Sequence, residues 1–496
     1  RDVARVMNMS IADADRIAKM VPFELKMTID KALDRNPKLK AEYENNPDVK
    51  NVIDVARRLE GMARHASTHA AGVVIADAPI TDYVPLQKNP KDESVMTQYT
   101  MKKLESMGLL KMDFLGLRTL TVIRDAVRMI EENHGVKLDI ERLDLNDKKV
   151  YELMSSGNTL GIFQFESGGM RRLLQDLRPE CLDDIMAANA LFRPGPMESI
   201  PDYVRSKHDP KSVHYLHPML EPILRDTYGC MVYQEQIMRI VRDVAGYSMA
   251  RSDLVRRAMS KKQQSVLEKE RKIFIHGEEK DGKITVEGAV RRGMDEKTAN
   301  ELFDQMMAFA NYAFNKSHAC AYAVVAYQTA YLKCYYPVEF MTALLNSFIA
   351  NKQKLGEYIQ TIKNEGIKIL PPDVNQSGMH FTTENECIRF GLSAISYVGE
   401  AVGEVITRRG RGYQDFTDFV EKNTDVLNKK RLESMILSGC FDCFGAKRSQ
   451  LMAVYEQVLA DAAQLKKRQA TGQMSLFDNM EGDFAPLAVE LPDIPE

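Results

Sequence analysis

Apolar and polar residues alternate with helical spacing over residues 1–65. Between Val49 and Leu59 the apolar side chains recur every three or four positions, which places them on one face of a helix. Asn46 and Pro47 stand immediately before this face, and they are typical of a helix cap and a first helical position. The pattern therefore predicts a helical amino-terminal region.

The pattern changes after His65, where short apolar runs replace the helical spacing. Residues 70–75 are almost entirely apolar, residues 95–100 alternate, and residues 108–115 resemble a strand that contains two charges. We expect these three segments to share one small sheet.

From residue 120 to about residue 370 the spacing is again helical, interrupted by glycine and proline at 193–196, 228–229 and 281–282. Shorter helices with glycine turns follow over 388–460. The pattern thus predicts a predominantly α-helical, multi-domain chain with a small mixed β-sheet.

Composition bounds the class of protein without defining a partner. The chain has 496 residues and a formal net charge of −3, with 44% hydrophobic and 28% charged residues. This is the composition of a soluble globular protein of about three domains. The longest apolar run in the tyrosine-rich region is Ala319–Tyr327, which is too short to cross a bilayer, so no membrane partner is expected. The scattered cysteines favour a reducing, cytoplasmic location.

Charge is distributed unevenly along the chain. Residues 474–496 contain six acidic residues and no Lys or Arg, whereas residues 239–274 contain ten Lys or Arg and four Asp or Glu. We call residues 239–274 the basic stripe. Such a stripe can contact phosphates, although most charge runs are solvated helix faces.

Lys111 and Asp113 are two residues apart in a predicted strand, so both side chains point to the same face. One interpretation is a salt bridge at the end of the strand. The alternative is a metal-binding carboxylate beside a phosphate-binding lysine, the pairing that phosphoryl transfer requires. Two-metal chemistry usually needs more than one carboxylate, and no convincing strand-borne partner for Asp113 is present.

Two further segments could bind anions. Arg256, Arg257, Lys261 and Lys262 crowd one predicted helix, either as a solvated face or as phosphate contacts. The run 315–318 precedes an alanine- and tyrosine-rich helix, and helix N-termini bind anions. Its members, which can all form hydrogen bonds, are Asn315, Lys316, Ser317 and His318.

The carboxyl-terminal part contains two candidate binding motifs. Residues 392–406 resemble a helix-hairpin-helix, although Tyr397 replaces the first of the two glycines usual in the turn, so a purely structural hairpin is an equal alternative. A short peptide that could dock into a partner, or fold back on its own domain, consists of Gln473, Met474, Ser475, Leu476 and Phe477.

Taken together, these motifs resemble the family of bacterial DNA polymerase III alpha subunits, the C-family replicative polymerases. The resemblance covers nearly the whole chain. The strings that carry it are HAAGVVIAD, LLKMDFLGLRTL, GIFQFESGGMRRLL, ALFRPGPM, TYGCMVYQEQIM, SDLVRRAMSKK, FNKSHACAYAVVAYQTAYLK and YPVEFMTALL.

The resemblance implies a domain order. Residues 1–68 are similar to a helical thumb region, 69–118 to the carboxyl-terminal part of the polymerase palm, and 119–372 to the fingers. Residues 373–472 are similar to the helix-hairpin-helix domain, and 473–496 to a clamp-binding motif with an acidic tail.

The resemblance also implies roles for the residues. Asp113 matches a catalytic, metal-binding carboxylate of a two-Mg²⁺ site, and Lys111 matches a basic residue near the incoming dNTP. Residues 473–477 match the consensus that binds the sliding clamp (beta). Residues in motifs that face nucleotide or DNA are Arg193, Arg256, Arg257, Lys261, Lys262, Asn315, Lys316, Ser317 and His318.

The implied function is DNA-directed DNA synthesis on primer-template DNA, in a replicase holoenzyme with further subunits. In the family, the paired Asp-x-Asp motif lies upstream of the palm segment seen here. Asp13 and Asp15 have this spacing but lie at a predicted helix start, so the resemblance implies that two of three catalytic carboxylates are missing. Because the chain also starts at Arg1 without an initiator Met, we expect an internal fragment that is inactive alone. The alternatives are a non-catalytic protein that binds DNA and tethers the clamp, or an error-prone paralogue.

Overall fold

The computed structural model describes residues 1–22, 27–62, 66–69, 71–89, 93–193, 195–260, 264–310, 312–471 and 489–495. The chain forms two compact units, Arg1–Gly116 and Leu117–Glu496. Helices dominate both units, and the sheets are small, which confirms the predicted fold class.

The amino-terminal unit begins with short helices whose starts are marked by polar caps. The side chain of Ser10 accepts the backbone N–H of Asp13, and that of Asn46 accepts the N–H groups of Asp48 and Val49. These helices pack around Ile17, Leu39, Ile53 and neighbouring apolar side chains. Their bounds are α1 Asp2–Val6, α2 Ile11–Met20, α3 Ile29–Arg35, α4 Pro37–Asn45 and α5 Pro47–Leu59.

The strands of this unit form two separate two-stranded sheets, so the prediction of one shared sheet is wrong. The short connection from Asn89 to Ser94 closes one pair as a hairpin, with the Asn89 N–H donating to the Ser94 carbonyl. The other sheet pairs the first strand of this unit with its last strand. The elements are β1 Gly72–Ile75, β2 Leu86–Lys88, β3 Val95–Thr97, α6 Met101–Ser106 and β4 Leu110–Asp113, with β1 paired to β4 and β2 to β3.

The second unit starts with a long helical region. Its elements are α7 Arg118–His134, α8 Lys148–Ser155, α9 Gly168–Leu177, α10 Leu182–Leu191, α11 Ile200–His208, α12 Glu221–Leu224, α13 Gln234–Ala245, α14 Met249–Ser260, α15 Gln264–His276, β5 Glu278–Lys280, β6 Lys283–Val286, α16 Glu296–Ala310, α17 Lys316–Tyr335, α18 Pro337–Ser347 and α19 Lys352–Asn364. The strands β5 and β6 form an antiparallel hairpin.

Helix α17 lies at the centre of one core of this unit. Its small residues, among them Ala319, Ala323 and Ala326, are fully buried and allow close contact with α10. The ring of Tyr327 is buried in the same core, and its hydroxyl donates to the Asp144 carbonyl at 2.7 Å. The Tyr327 ring therefore serves packing.

The remaining elements enclose a separate core at the carboxyl-terminal end. They are β7 Ile369–Leu370, β8 Thr382–Glu384, β9 Cys387–Arg389, α20 Val402–Arg408, α21 Phe416–Asn423, α22 Lys429–Ser438 and α23 Arg448–Thr471. Strand β9 pairs in parallel with β7 and antiparallel with β8. None of the helices in the described part of the chain combines the length and apolar character needed to span a membrane.

Candidate functional site

Lys111 and Asp113 lie on β4, opposite β1. The antiparallel register places Val74 across from Lys111 and Gly72 across from Asp113. The two charged side chains share one face as predicted, and Lys111 Nζ lies 2.5 Å from Asp113 Oδ1. The salt bridge of the simpler interpretation is therefore present, and it holds the lysine and the carboxylate at one point of the sheet.

Gly72 provides the space in which these side chains meet. A Cβ atom at this position would lie 2.6 Å from Lys111 Cε and 2.9 Å from both Asp113 Oδ1 and His69 Nδ1. Any larger residue would displace all three side chains. Sequence reasoning did not single out Gly72 or His69, although both lie in the string HAAGVVIAD.

His69 orients this site through the backbone. Its Nδ1 accepts hydrogen bonds from the N–H groups of Ala71 at 3.1 Å and Gly72 at 2.7 Å. A ring nitrogen that accepts these bonds has no proton to donate, so the 3.9 Å approach of Nδ1 to Asp113 Oδ1 is not an ion pair in this arrangement. His69 fixes the start of β1 opposite Asp113.

The exposure of the pair differs between its two members. The Asp113 side chain is 55% exposed, whereas that of Lys111 is 17% exposed. The hydrogen bond from Lys111 lowers the pKa of Asp113, so the carboxylate is ionised at neutral pH. An accessible anion with a fixed cation beside it can take part in binding a metal or a phosphate.

The side chains around Asp113 determine whether a metal ion could bind there. Magnesium prefers several oxygen ligands, and Asp113 offers one carboxylate whose Oδ1 is bound by Lys111. Among the described residues no group of three or more His, Cys, Asp and Glu side chains could hold a metal ion. Asp113 therefore fits as a single ligand, and the described residues do not complete a metal centre.

In the second unit, the N-terminus of α17 already holds an anion from the protein itself. Asn315 caps the helix by accepting the His318 N–H at 2.8 Å, and its amide donates to Glu235 Oε1 at 2.8 Å. Glu235 Oε2 accepts the Lys316 N–H at 2.9 Å. A carboxylate from α13 thus takes the place where sequence reasoning expected an external anion.

The side chains of 316–318 differ in what remains accessible. Lys316 is half-buried, with its Nζ 5.5 Å from the centre of the Tyr233 ring. Ser317 and His318 are exposed, and the His318 ring lies 4.1 Å from that of Tyr322. The accessible chemistry at this helix start therefore comes from Ser317 and His318.

Aromatic rings continue from His318 in both directions along one cavity. The Phe314 ring lies 5.2 Å from the His318 ring, and Phe192 and Tyr322 line the same cavity. The Arg193 guanidinium covers Phe314 at 4.1 Å. The cavity encloses about 370 Å³, and polar side chains of Gln164, Ser167 and Asn189 also line it.

Arg193 holds the loop before α17 in place. Its guanidinium donates to the carbonyls of Ala190 at 3.1 Å and Tyr312 at 2.8 Å. Burial lowers the pKa of this guanidinium, which nonetheless stays charged at neutral pH. Position 195 requires glycine, because its φ is 106° and a Cβ atom there would overlap the Tyr312 ring.

Arg256 and Arg257 on α14 are both compensated. Each forms an ion pair with Asp253, at 2.6 Å and 2.8 Å respectively, and the hydrogen bond from Arg256 lowers the pKa of Asp253. Arg256 also donates to Gln234, which in turn donates to the Ala313 carbonyl. Lys261 and Lys262 lie outside the described residues.

The structure thus brings several predicted residues of the second unit to one place. Gln234 and Glu235 link α14, the loop before α17 and the α17 N-terminus. Sequence reasoning missed both linking residues, because their partners lie far away along the chain. The predicted residues that this network connects are Arg193, Arg256, Asn315, Lys316 and His318.

The remaining motifs lie at the carboxyl-terminal end. Tyr397 and Gly399 in the hairpin have φ angles of 66° and 60°, so tyrosine adopts the left-handed conformation expected of the missing glycine. The clamp-type motif Gln473–Phe477 lies outside the described residues. It falls between the end of α23 and residues 489–495, where Pro492 accepts a hydrogen bond from Gln450 at 2.8 Å.

Family models match the chain in the order that the two units suggest. The model of the bacterial DNA polymerase III alpha NTPase domain matches residues 1–116, and that of the alpha subunit finger domain matches 119–282. A helix-hairpin-helix motif matches 366–451. The chain is thus of the class that joins polymerase fingers to a helix-hairpin-helix domain.

Curated relatives agree with these models. Each is named DNA polymerase III subunit alpha, with 46% identity in Thermus aquaticus, 44% in Bacillus subtilis and 42% in Borreliella burgdorferi. The matches cover 97%, 100% and 97% of this chain but 39%, 43% and 41% of the relatives. The chain belongs to the family of bacterial DNA polymerase III alpha subunits, and it spans about two fifths of these relatives' length.

Proposed function

We propose that the chain is part of a DNA-directed DNA polymerase that adds dNTPs to a primer 3′ end by phosphoryl transfer. The observation that carries this proposal is the Lys111–Asp113 pair on β4, with Gly72 and His69 shaping the space around it. Both residues lie in the segment 1–116 that matches the family model of the DNA polymerase III alpha NTPase domain.

The roles of the two residues follow from their chemistry. Asp113 would be one carboxylate ligand of a catalytic magnesium ion. Such an ion would supply stabilisation of the negative charge that develops during phosphoryl transfer. Lys111 leaves its bond to Asp113 for the phosphates of the incoming nucleotide and compensates their charge.

The second unit supplies the binding surface in this proposal. The ring cavity beside His318 suits a planar base or a sugar, and Ser317 and His318 can donate hydrogen bonds to phosphate oxygens. Arg193 and Glu235 act by holding this loop in place. Residues 1–68 form the thumb, 69–118 the palm segment, 119–372 the fingers and 373–472 the DNA-approaching domain.

The first experiment uses a chimaera in which this chain replaces the matching segment of the Thermus aquaticus relative. We expect Asp113→Asn to lower kcat for primer extension by at least about 100-fold, because charge stabilisation in the transition state is lost. Asp82→Asn, an exposed carboxylate of the same unit, is the control and should leave kcat unchanged.

Two results would go against the proposal. Primer extension by the Asp113→Asn chimaera at the unmutated rate would show that Asp113 is not catalytic. An unmutated chimaera that folds and binds DNA but extends no primer would favour the non-catalytic, clamp-tethering alternative. The chain alone should extend no primer, because Asp113 is one of three carboxylates that the chemistry needs.

We also propose that Gln473–Phe477 binds the sliding clamp. In sequence the motif falls between helix α23 and Pro492, whose carbonyl accepts a hydrogen bond from Gln450 of that helix. A peptide of residues 469–480 should bind a bacterial sliding clamp in fluorescence polarisation. The double variant Leu476→Ala, Phe477→Ala should not bind, and equal binding by that variant would contradict the proposal.

A further inference from the structure

The hairpin at residues 395–402 carries a tyrosine in an unusual backbone conformation. Tyr397 has φ 66°, a region that bulky residues rarely occupy, and its side chain is 63% exposed. It is therefore not kept in this conformation by burial of its ring. A backbone outlier of this kind points to a functional constraint on the residue.

Two lysines from different helices are held against the Tyr397 ring. Lys430 Nζ, from the first turn of α22, lies 4.6 Å from the ring centre, and Lys352 Nζ, at the start of α19, lies 5.5 Å from it. Lys352 also donates to Ser396 Oγ at 3.1 Å. One aromatic ring thus brings together two ammonium groups that are 78 positions apart along the chain.

Neither lysine has an acidic partner in the part of the chain that the structure describes. Among the described residues, no carboxylate oxygen lies within 4.0 Å of Lys352 Nζ or Lys430 Nζ. The adjacent Lys429 differs, since its Nζ lies 2.6 Å from Glu456 Oε2. We call Lys352 and Lys430 the hairpin lysine pair.

The cationic surface continues along the start of α19. The Arg118 guanidinium lies 4.8 Å and Lys354 Nζ 5.3 Å from the centre of the Phe348 ring. Neither cation has a carboxylate within 4.0 Å in the described part of the chain. Cations left without acids and interleaved with aromatic rings are typical of surfaces that bind nucleic acid.

We propose that the hairpin lysine pair binds backbone phosphates of DNA and that Tyr397 is the positioning residue which holds the two ammonium groups. An ordinary hairpin of this type presents backbone N–H groups from a turn with two glycines. Here the side chains add the charge that this backbone lacks, while Tyr397 keeps the turn geometry. The inference rests on the proposed DNA-binding function of residues 373–472.

The alternative is that Tyr397 only takes the backbone conformation of a glycine. The two possibilities differ in the role of the ring. If the ring positions the lysines, Tyr397→Phe retains DNA binding and Tyr397→Gly weakens it, although glycine suits the φ of 66° better. If only the backbone matters, Tyr397→Gly binds as well as the unmutated chain or more tightly.

The test measures binding of a fluorescein-labelled primer-template duplex to the whole chain over a range of salt concentrations. Lys352→Ala with Lys430→Ala should lower the affinity roughly tenfold at about 0.1 M salt. The same change should flatten the slope of log K against log salt by about 1.8, which corresponds to two phosphates. Lys430→Ala alone should flatten the slope by about 0.9.

The matched control is the neighbouring Lys429→Ala, which removes the same charge from the same helix turn. Because Glu456 already compensates Lys429, this change should leave both the affinity and the slope nearly unchanged. Thermal melting of every variant checks that the fold is intact.

Each outcome has one meaning. If Lys429→Ala and Lys430→Ala lose equal DNA affinity, the inference is overturned. It is also overturned if Tyr397→Gly binds DNA as tightly as the unmutated chain. If the unmutated chain does not bind the duplex at all, the proposed DNA-binding function is wrong, whatever the variants show.

Discussion

The arginines of the basic stripe and the hairpin lysine pair have the same sign of charge but opposite surroundings. Every arginine of the stripe lies within 4.0 Å of a carboxylate, whereas neither lysine of the pair does among the described residues. The stripe's ion pairs are Arg239 and Arg242 with Asp243, Arg251 with Glu270 and Glu278, Arg256 and Arg257 with Asp253, and Arg271 with Asp304.

The difference shows that a count of cations along the chain is a poor guide to a phosphate-binding surface. Asp253, three and four positions away on the same helix, compensates Arg256 and Arg257, and more distant acids compensate Arg251. The hairpin lysine pair, by contrast, consists of only two positive charges. These charges remain available because an aromatic ring, not an acid, holds them.

The largest effect is expected where the stripe serves stability. Arg251 donates to Glu270 and Glu278, and all three side chains are largely buried, at 22%, 13% and 12% exposure. Arg251→Ala removes the arginine that pairs with both of these largely buried carboxylates and should lower the free energy of unfolding by about 3 kcal/mol.

The measurement is a urea unfolding transition followed by circular dichroism. Arg242→Ala is the control, because the ion pair between Arg242 and Asp243 is more exposed. This change should lower the free energy of unfolding by less than about 1 kcal/mol. Equal destabilisation by the two changes would mean that burial does not distinguish the stripe's ion pairs.

A pH dependence of stability should follow from the same pair. The hydrogen bond from Arg251 lowers the pKa of Glu278 from 4.5 to about 2. A depressed carboxyl pKa stabilises the folded state above the unfolded pKa, and this contribution is lost as pH falls from about 4.5 to about 2.

The unfolding midpoint of the unmutated chain should therefore fall between pH 5 and pH 3 more steeply than that of Arg251→Ala. Urea midpoints at these pH values, at constant ionic strength, provide the comparison. Parallel pH profiles for the two proteins would show that Arg251 does not set the protonation of Glu278.

The smallest effect concerns DNA binding by the stripe. Asp253→Asn frees Arg256 and Arg257 and should strengthen binding of a primer-template duplex by roughly fivefold at about 0.1 M salt, with a steeper salt dependence. Asp202→Asn, which frees the exposed Arg205 on α11, is the matched control and should change the affinity less. If Asp253→Asn leaves the affinity unchanged, the stripe's arginines do not face DNA even when they are free.

Local sequence predicts much of the fold, because its signals act over a few residues. Ser10 and Asn46 mark helix starts, and alternation in β4 places Lys111 and Asp113 on one face. The single predicted sheet failed for a different reason. Residues 95–97 form a strand as expected, but their partner is the nearby β2, whose hairpin closes over fewer residues than a pairing with β4 would need.

At the candidate site, too, local sequence predicts the element but not its distant contacts. The run 315–318 is correctly placed at a helix start, yet Glu235 occupies that N-terminus from 80 positions away along the chain. Likewise, sequence identifies Tyr397 as a departure from the usual turn, but only the fold brings Lys352 and Lys430 to its ring. Contacts between distant segments depend on packing, which no local pattern encodes.

The sequence by itself determined the family, the helical character of both units and the types of residue available for chemistry, because these depend on composition, spacing and motif order. The tertiary structure alone decided which charges remain free. Asp253 and Asp243 compensate four arginines of the stripe, Lys111 compensates Asp113, and the hairpin lysine pair has no such acid among the described residues. The physical reason is that electrostatic compensation acts over a few ångströms in space, whatever the separation along the chain.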